Sequence, residues 1–193
     1  MKYFPICFLL LMTCLVRVEN VPIPGDCTTK PYREKGGKNE NQDVRLHLDC
    51  TLSAINSESE KTNFSVIPGE HTASLTVRCS DTLSTSHIEP QGFLSLNLLE
   101  ELEIIGCKLE NIPDHAFLGL TRLRVLRLES STTTPLSLDP GSMSGIGSLE
   151  HLDISERELE LLHPSALCSL PSLSSLKLEG GSFSSLENLG KFS

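Results

Sequence analysis

Apolar residues in the second half of the chain recur in register. Leu99, Leu102, Ile104, Cys107 and Leu109 are followed by Leu123, Leu126 and Leu128, then by Leu149, Leu152, Ile154 and Leu159, and then by Leu173, Leu176 and Leu178. The first leucines of these sets lie 24, 26 and 24 residues apart. Inside each set, two inward side chains flank one outward polar residue, which is the alternation of a short, half-buried strand. An interval of this length allows one strand and one return segment per period, so each period predicts one turn of a solenoid. One such turn cannot hide its own apolar face, and stacked neighbours have to share a continuous core.

The return segments carry the rest of that core. After the strand at 102–104, Ile112, Ala116, Phe117 and Leu120 complete the interior of the most regular coil, and Met143 and Ile146, then Leu162, Ala166, Leu167 and Leu170, are their later equivalents. Upstream, Leu75 and Val77 supply a less regular strand whose return path holds Ile88, Phe93 and Leu96. Each fully buried side chain of this kind contributes roughly 1.5–3 kcal/mol. Further upstream, Val44, Leu46 and Leu48 alternate with Arg45, His47 and Asp49, and Cys27 and Cys50 bracket the segment. A polar strand stapled by a Cys27–Cys50 disulfide closes the first coil, whose leucine row would otherwise meet water. The stretch 27–43, with Lys30, Arg33, Glu34, Lys35, Gly36, Gly37 and Lys38, has no periodicity and reads as an exposed loop.

The expected fold is therefore an α/β solenoid, a leucine-rich-repeat horseshoe with a parallel concave sheet and an N-terminal disulfide cap. The expected divisions are a cap at 27–70, an irregular first repeat at 71–98, repeats at 99–122, 123–148 and 149–172, and a truncated repeat at 173–193. The two extra residues of the 26-residue period are expected to loop out within Ser131–Pro135.

The N-terminus has a different pattern. Lys2 precedes an apolar run from Tyr3 to Val16, which reads as a signal peptide over 1–20, cleaved between Thr13 and Pro24. The run is shorter than the ~20 residues that span a bilayer. The chain is thus expected in the secretory pathway, extracellular, or at the cell surface if it continues into a longer receptor. The formal net charge is −9, and losing Lys2, Arg17 and Glu19 with the signal makes it more negative by one. So acidic a surface repels phosphate backbones, and nucleic acid is excluded as a partner.

Seven cysteines occur, of which Cys7 and Cys14 leave with the signal. In a secreted chain the remaining Cys27, Cys50, Cys79, Cys107 and Cys168 are oxidised where geometry allows. No C-x-x-C pair and no cysteine–histidine spacing suited to zinc is present. Cys79 and Cys107 fall near the ends of adjacent strands and read either as a disulfide or as two buried thiols. Cys168 is left over, and its partner is expected beyond Ser193, as is a closing strand for the last coil; the chain reads as a fragment of a longer protein.

Several segments go beyond the generic repeat. They are the cap sequence Val44-Arg-Leu-His-Leu-Asp-Cys50-Thr-Leu52, the run Thr62-Asn63-Phe64-Ser65 with His71-Thr-Ala-Ser-Leu-Thr-Val-Arg-Cys79, and Leu102-Glu-Ile-Ile-Gly-Cys107 with Leu167-Cys168-Ser-Leu170. Over residues 44–186 the chain resembles the N-terminal part of the ectodomain of arthropod Toll receptors, in the Toll-like receptor family. The resemblance implies an extracellular horseshoe acting in innate immunity or development. It further implies a cystine-knot cytokine of the Spätzle type as ligand, and receptor dimerisation. A membrane helix and a TIR domain would lie in a missing C-terminal part. The alternative reading is a free secreted leucine-rich-repeat protein acting as a soluble decoy or matrix component. One departure from the usual repeat is that the ninth consensus position, commonly asparagine, holds Ser80, Cys107, Ser131, Arg157 and Gly181. A charged Arg157 in a dry interior requires a partner or a turn to solvent.

Candidate chemistry lies on the strands. Glu103, Arg127, Asp153 and Lys177 occupy equivalent outward positions, and neighbouring strands lie ~4.8 Å apart, so they form a column of alternating sign. That column reads first as a self-neutralising ion-pair ladder and second as a charged ligand platform. The flanking column Arg78, Ile105, Glu129, Ser155 and Glu179, together with Glu156, tilts the face acidic and points to a basic partner protein; Arg78, Glu129 and Glu156 complete the candidate binding set. Asn63-Phe64-Ser65 is a glycosylation sequon, which places Asn63 at the surface. No histidine zinc motif, no nucleophile elbow and no phosphate-cradling glycine loop occurs, and no catalytic residue, metal or cofactor is expected.

Overall fold

The computed structural model describes residues 26–32, 45–58, 61–130, 135–155, 159–162 and 164–180. The expected signal peptide at 1–20, residues 131–134 of the expected loop-out, Glu156, Arg157 and Gly181 lie outside these. In chain order the strands are β1 (Cys27–Pro31), β2 (Leu46–Leu52), β3 (Thr72–Cys79), β4 (Thr85–Ser86), β5 (Glu101–Ile105) and β6 (Lys108–Leu109). They continue as β7 (Asn111–Ile112), β8 (Val125–Glu129), β9 (Leu136–Leu138), β10 (His151–Ser155), β11 (Leu159–Leu162) and β12 (Ser175–Glu179).

A seven-stranded sheet in the order β1-β2-β3-β5-β8-β10-β12 forms one wall of a solenoid of about five turns. All its neighbours are parallel except β1, which runs antiparallel to β2. The register aligns Leu75, Leu102, Leu126, Leu152 and Leu176, and two residues on Val77, Ile104, Leu128, Ile154 and Leu178, so the leucine period becomes two rows that are buried as far as Leu152 and Ile154, beyond which Leu176 is exposed and Leu178 half-buried. Short parallel sheets, β11-β9-β7 and β4-β6, follow the main strands around each coil. Among the described residues the only α-helix is Pro164–Cys168, and the other return segments are turns and extended chain. The α share of the described residues is thus one short helix. Periods of 24–26 residues return with tight turns after Phe93, Phe117 and Met143, leaving little length for helix.

The opposite wall is packed by the return-segment side chains. Phe93, Leu96, Ile112, Ala116, Phe117, Leu120, Met143 and Ile146 are all fully buried. Phe64, Phe93 and Phe117 stack across successive coils, with ring centroids 4.7 and 6.0 Å apart. Gly69 sits against the next coil so closely that a Cβ there would lie 1.9 Å from the carbonyl oxygen of Ser95. Only a residue without a side chain lets the cap pack at this distance.

The cap differs from the sequence expectation in one respect. Residues 27–31, expected to be loop, form β1, registered residue for residue on β2 with Cys27 opposite Cys50. The segment Cys27-Thr-Thr-Lys-Pro31 has no apolar alternation to reveal a strand, because it buries little. Its partner is the free edge of β2, and the pairing is sealed by the Cys27–Cys50 disulfide. Covering that edge removes the unpaired backbone groups that would otherwise template association.

Cys79 and Cys107 also form a disulfide, linking the end of β3 to the turn after β5. Around it, main-chain bonds do the work usually given to asparagine side chains. The Ser80 amide donates to the Leu52 carbonyl at 2.9 Å, that of Gly106 to Glu129 at 2.7 Å, and that of Ser130 to Ser155 at 3.1 Å. Gly106 takes a φ of 71°, a left-handed geometry that glycine adopts without strain.

Candidate functional site on the main sheet

The outer face of the main sheet is a polar wall that the coils build together from outward residues of successive strands. Its central column follows the register Thr76, Glu103, Arg127, Asp153, Lys177. Glu103 is ion-paired with Arg127, and the Thr76 hydroxyl donates to Glu103 at 3.3 Å. Lys177 reaches Asp153 at 3.5 Å and Glu179 at 3.0 Å; the Glu179 carboxylate, followed by Asp153, raises its pKa. At the cap end, Arg78 pairs with Asp49 at 3.1 Å. The candidates Arg78, Glu103, Arg127, Asp153 and Lys177 are therefore all held in ion pairs, Arg78 with Asp49 and the others along the column, and as exposed pairs each is worth only ~0–1 kcal/mol. Glu129 is exposed beside them, and Glu156 lies outside the described residues.

A second charged row, one step before the strands begin, was not singled out from sequence. Glu100, Arg124 and Glu150 occupy equivalent positions in successive coils, at the same 24- and 26-residue spacing as the leucines. Arg124 grips Glu150 through two bonds of 3.0 Å, and this pairing lowers the Glu150 pKa. Arg45, from the start of β2, is ion-paired with Glu100. Its guanidinium also lies 5.4 Å from the centre of the Tyr32 ring, within cation–π range.

Tyr32 follows β1 and leans across the sheet. Its hydroxyl donates to Glu101 at 3.4 Å and approaches Glu100 at 3.5 Å. Between these rows opens a groove of about 470 Å³, lined by Tyr32, Glu100, Glu101, Arg124, Glu150 and His151 among others. Glu101 occupies a particular position in it. It receives the Tyr32 hydroxyl and, at 3.5 Å, that of Ser74, and among the described residues no cation pairs with it. Ser74 in turn shares a 2.8 Å hydrogen bond with Nδ1 of His47.

Partial burial, followed by the charges of Glu101 and Glu100, pushes the Tyr32 phenol up to about 12. Because the folded pKa lies above the unfolded value near 10, the stability this contact adds is complete below pH 10 and is lost as pH rises towards 12. The chain has two tyrosines, Tyr3 and Tyr32. Absorbance titration near 295 nm should resolve a phenol ionising about two units late, and Tyr32→Phe should delete that step. A single transition near pH 10 in the folded protein would refute the contact.

Among the described residues, no group of three histidine, cysteine or acidic side chains is placed to hold a metal, and no helix is long and apolar enough to cross a membrane.

Comparison with known proteins agrees with this architecture. A leucine rich repeat family model matches residues 131–183. Toll-like receptor 7 of Drosophila melanogaster is 29% identical over 182 residues, covering 90% of this chain. The chain spans 12% of that receptor's length. The resemblance to Toll-type leucine-rich-repeat receptors holds along almost the whole chain, and it supports a segment of a receptor ectodomain of that type.

Proposed function

We propose that this segment recognises a protein ligand for a Toll-type receptor. The ligand lies on the open face of the main sheet, and Glu101 is offered to a basic side chain of the partner. The observation that carries the reading is the contrast within the groove. Glu100 and Glu150 are matched by arginines, whereas among the described residues Glu101 is met by neutral hydroxyls alone. A carboxylate fixed on a strand by neutral donors accepts a guanidinium or ammonium without first breaking an ion pair. The two disulfides suit an oxidising, extracellular setting. The family resemblance supplies a cystine-knot cytokine of the Spätzle type as the ligand and dimerisation as the signalling step. Receptor similarity along 90% of the chain does not favour the soluble decoy or matrix alternative.

The test is binding of the intact chain to the cystine-knot cytokines of its own organism, measured by interferometry. Glu101→Arg is expected to weaken the complex about 30-fold, the size of a hot-spot loss, with an unchanged circular dichroism spectrum. Arg127→Glu should cost much less, because that residue already serves the ladder. Unaltered affinity in Glu101→Arg overturns the groove as the site. Loss confined to Arg127→Glu would transfer the site to the ladder.

A further inference from the structure

We propose that Asn63 is N-glycosylated, and that the first sugar lies over an apolar hollow beside it on the cap. Asn63 is exposed and stands immediately before the 3₁₀ turn Phe64–Val66. Its Oδ1 accepts the Ser65 amide at 3.0 Å and the Ser65 hydroxyl at 2.6 Å. Its Nδ2 has no hydrogen-bond partner among the described residues. Both bonds polarise the amide towards Oδ1 and leave the nitrogen available. They also give a physical role to the serine two residues on, which the sequon requires.

Transfer forms a bond from Nδ2 to the anomeric carbon of a lipid-pyrophosphate-linked oligosaccharide. The bond from that carbon to the pyrophosphate oxygen breaks, and the Nδ2 proton and the lipid pyrophosphate depart. No oxidant or reductant enters the balance.

The hollow next to Asn63 measures about 170 Å³, room for one sugar ring. Cys27, Cys50, Leu52, Phe64 and Val66 line it together with Asn63 itself. Val66 is 42% exposed and Leu52 only partly covered, so an apolar surface lies open beside the disulfide. The apolar face of an N-acetylglucosamine tethered at Asn63 reaches this surface without crossing the solenoid. Phe64, the neighbouring residue, belongs to the return-side aromatic stack and fixes the backbone that carries Asn63.

The test uses the full chain secreted from animal cells under a mannosidase inhibitor. The tryptic peptide containing Asn63 is expected to carry a high-mannose mass. Asn63→Gln and Ser65→Ala should lose it, and Ser65→Thr should keep it. Trimming with endoglycosidase H, which leaves one sugar, should not move the melting temperature. Complete removal with peptide-N-glycosidase should lower it by about 2–4 °C. An unmodified peptide from secreted, disulfide-bonded protein would overturn the proposal, as would identical melting of the two trimmed forms. The trimmed wild-type chains provide this reading even if the variants fail to fold.

Discussion

Replacing Phe93 with alanine is expected to remove about 4 kcal/mol of stability, within the 3–5 kcal/mol seen when a buried phenylalanine is cut to its Cβ. The ring is fully buried and stands between Phe64 of the cap and Phe117 of the next coil, at 4.7 and 6.0 Å. Truncation therefore loses the transfer energy of the ring, two aromatic contacts of roughly 0.5–1.5 kcal/mol each, and the packing of whatever surrounds the cavity. The position is also structurally central. A solenoid couples each coil only to its neighbours, and Phe93 lies in the coil that joins the cap to the regular repeats. In a domain of ordinary stability, ~5–15 kcal/mol, the loss lowers the melting temperature by about 10 °C. Phe93→Leu, which keeps most of the volume, should cost less than ~1.5 kcal/mol. Leu94→Ala, next door but 52% exposed, should stay within ~0.5 kcal/mol. Urea denaturation of the three variants checks this. A Phe93→Ala midpoint indistinguishable from that of Leu94→Ala would show that the aromatic stack does not hold the coils together.

The second large effect is expected at the disulfide between coils. Joining Cys79 to Cys107 closes a separation of 28 residues, and loop-closure entropy for a loop of this size amounts to about 3.5 kcal/mol. The double substitution Cys79→Ala with Cys107→Ala should therefore cost about that much, plus a small packing loss at the fully buried Cys107. The bond sits where many leucine-rich repeats bring in an asparagine ladder, and here it is joined by main-chain bonds from Ser80 and Gly106 and by the Ser80 hydroxyl, which donates to the Leu52 carbonyl at 3.1 Å. Thermal unfolding of the double variant against the wild type, both non-reduced, measures the difference. A loss below ~1 kcal/mol would mean that those main-chain bonds suffice to couple the coils.

The repeats were legible from sequence because a solenoid writes its core in one dimension. Leu75, Leu102, Leu126 and Leu152 stack in register since each occupies the same place in a period, and counting along the chain reproduces the register of the sheet. The column of Glu103, Arg127, Asp153 and Lys177 followed by the same arithmetic. The charged row of Glu100, Arg124 and Glu150 carries an equal periodic signal, one step outside the alternation that marks the strands.

The groove is of another kind. Tyr32 meets Glu100 and Glu101 across sequence separations of 68 and 69 residues. It does so only because β1, a segment without apolar alternation, pairs with the free edge of β2 and carries the tyrosine over the sheet. Sequence by itself determined the period, the two leucine rows and the sign of each outward charge, because those properties repeat from coil to coil. Tertiary structure alone decided which charges are neutralised, that Glu101 is left to neutral donors, and that Asn63 stands beside an apolar hollow. Those outcomes depend on contacts between segments that share no period, and the distances between them are set by packing.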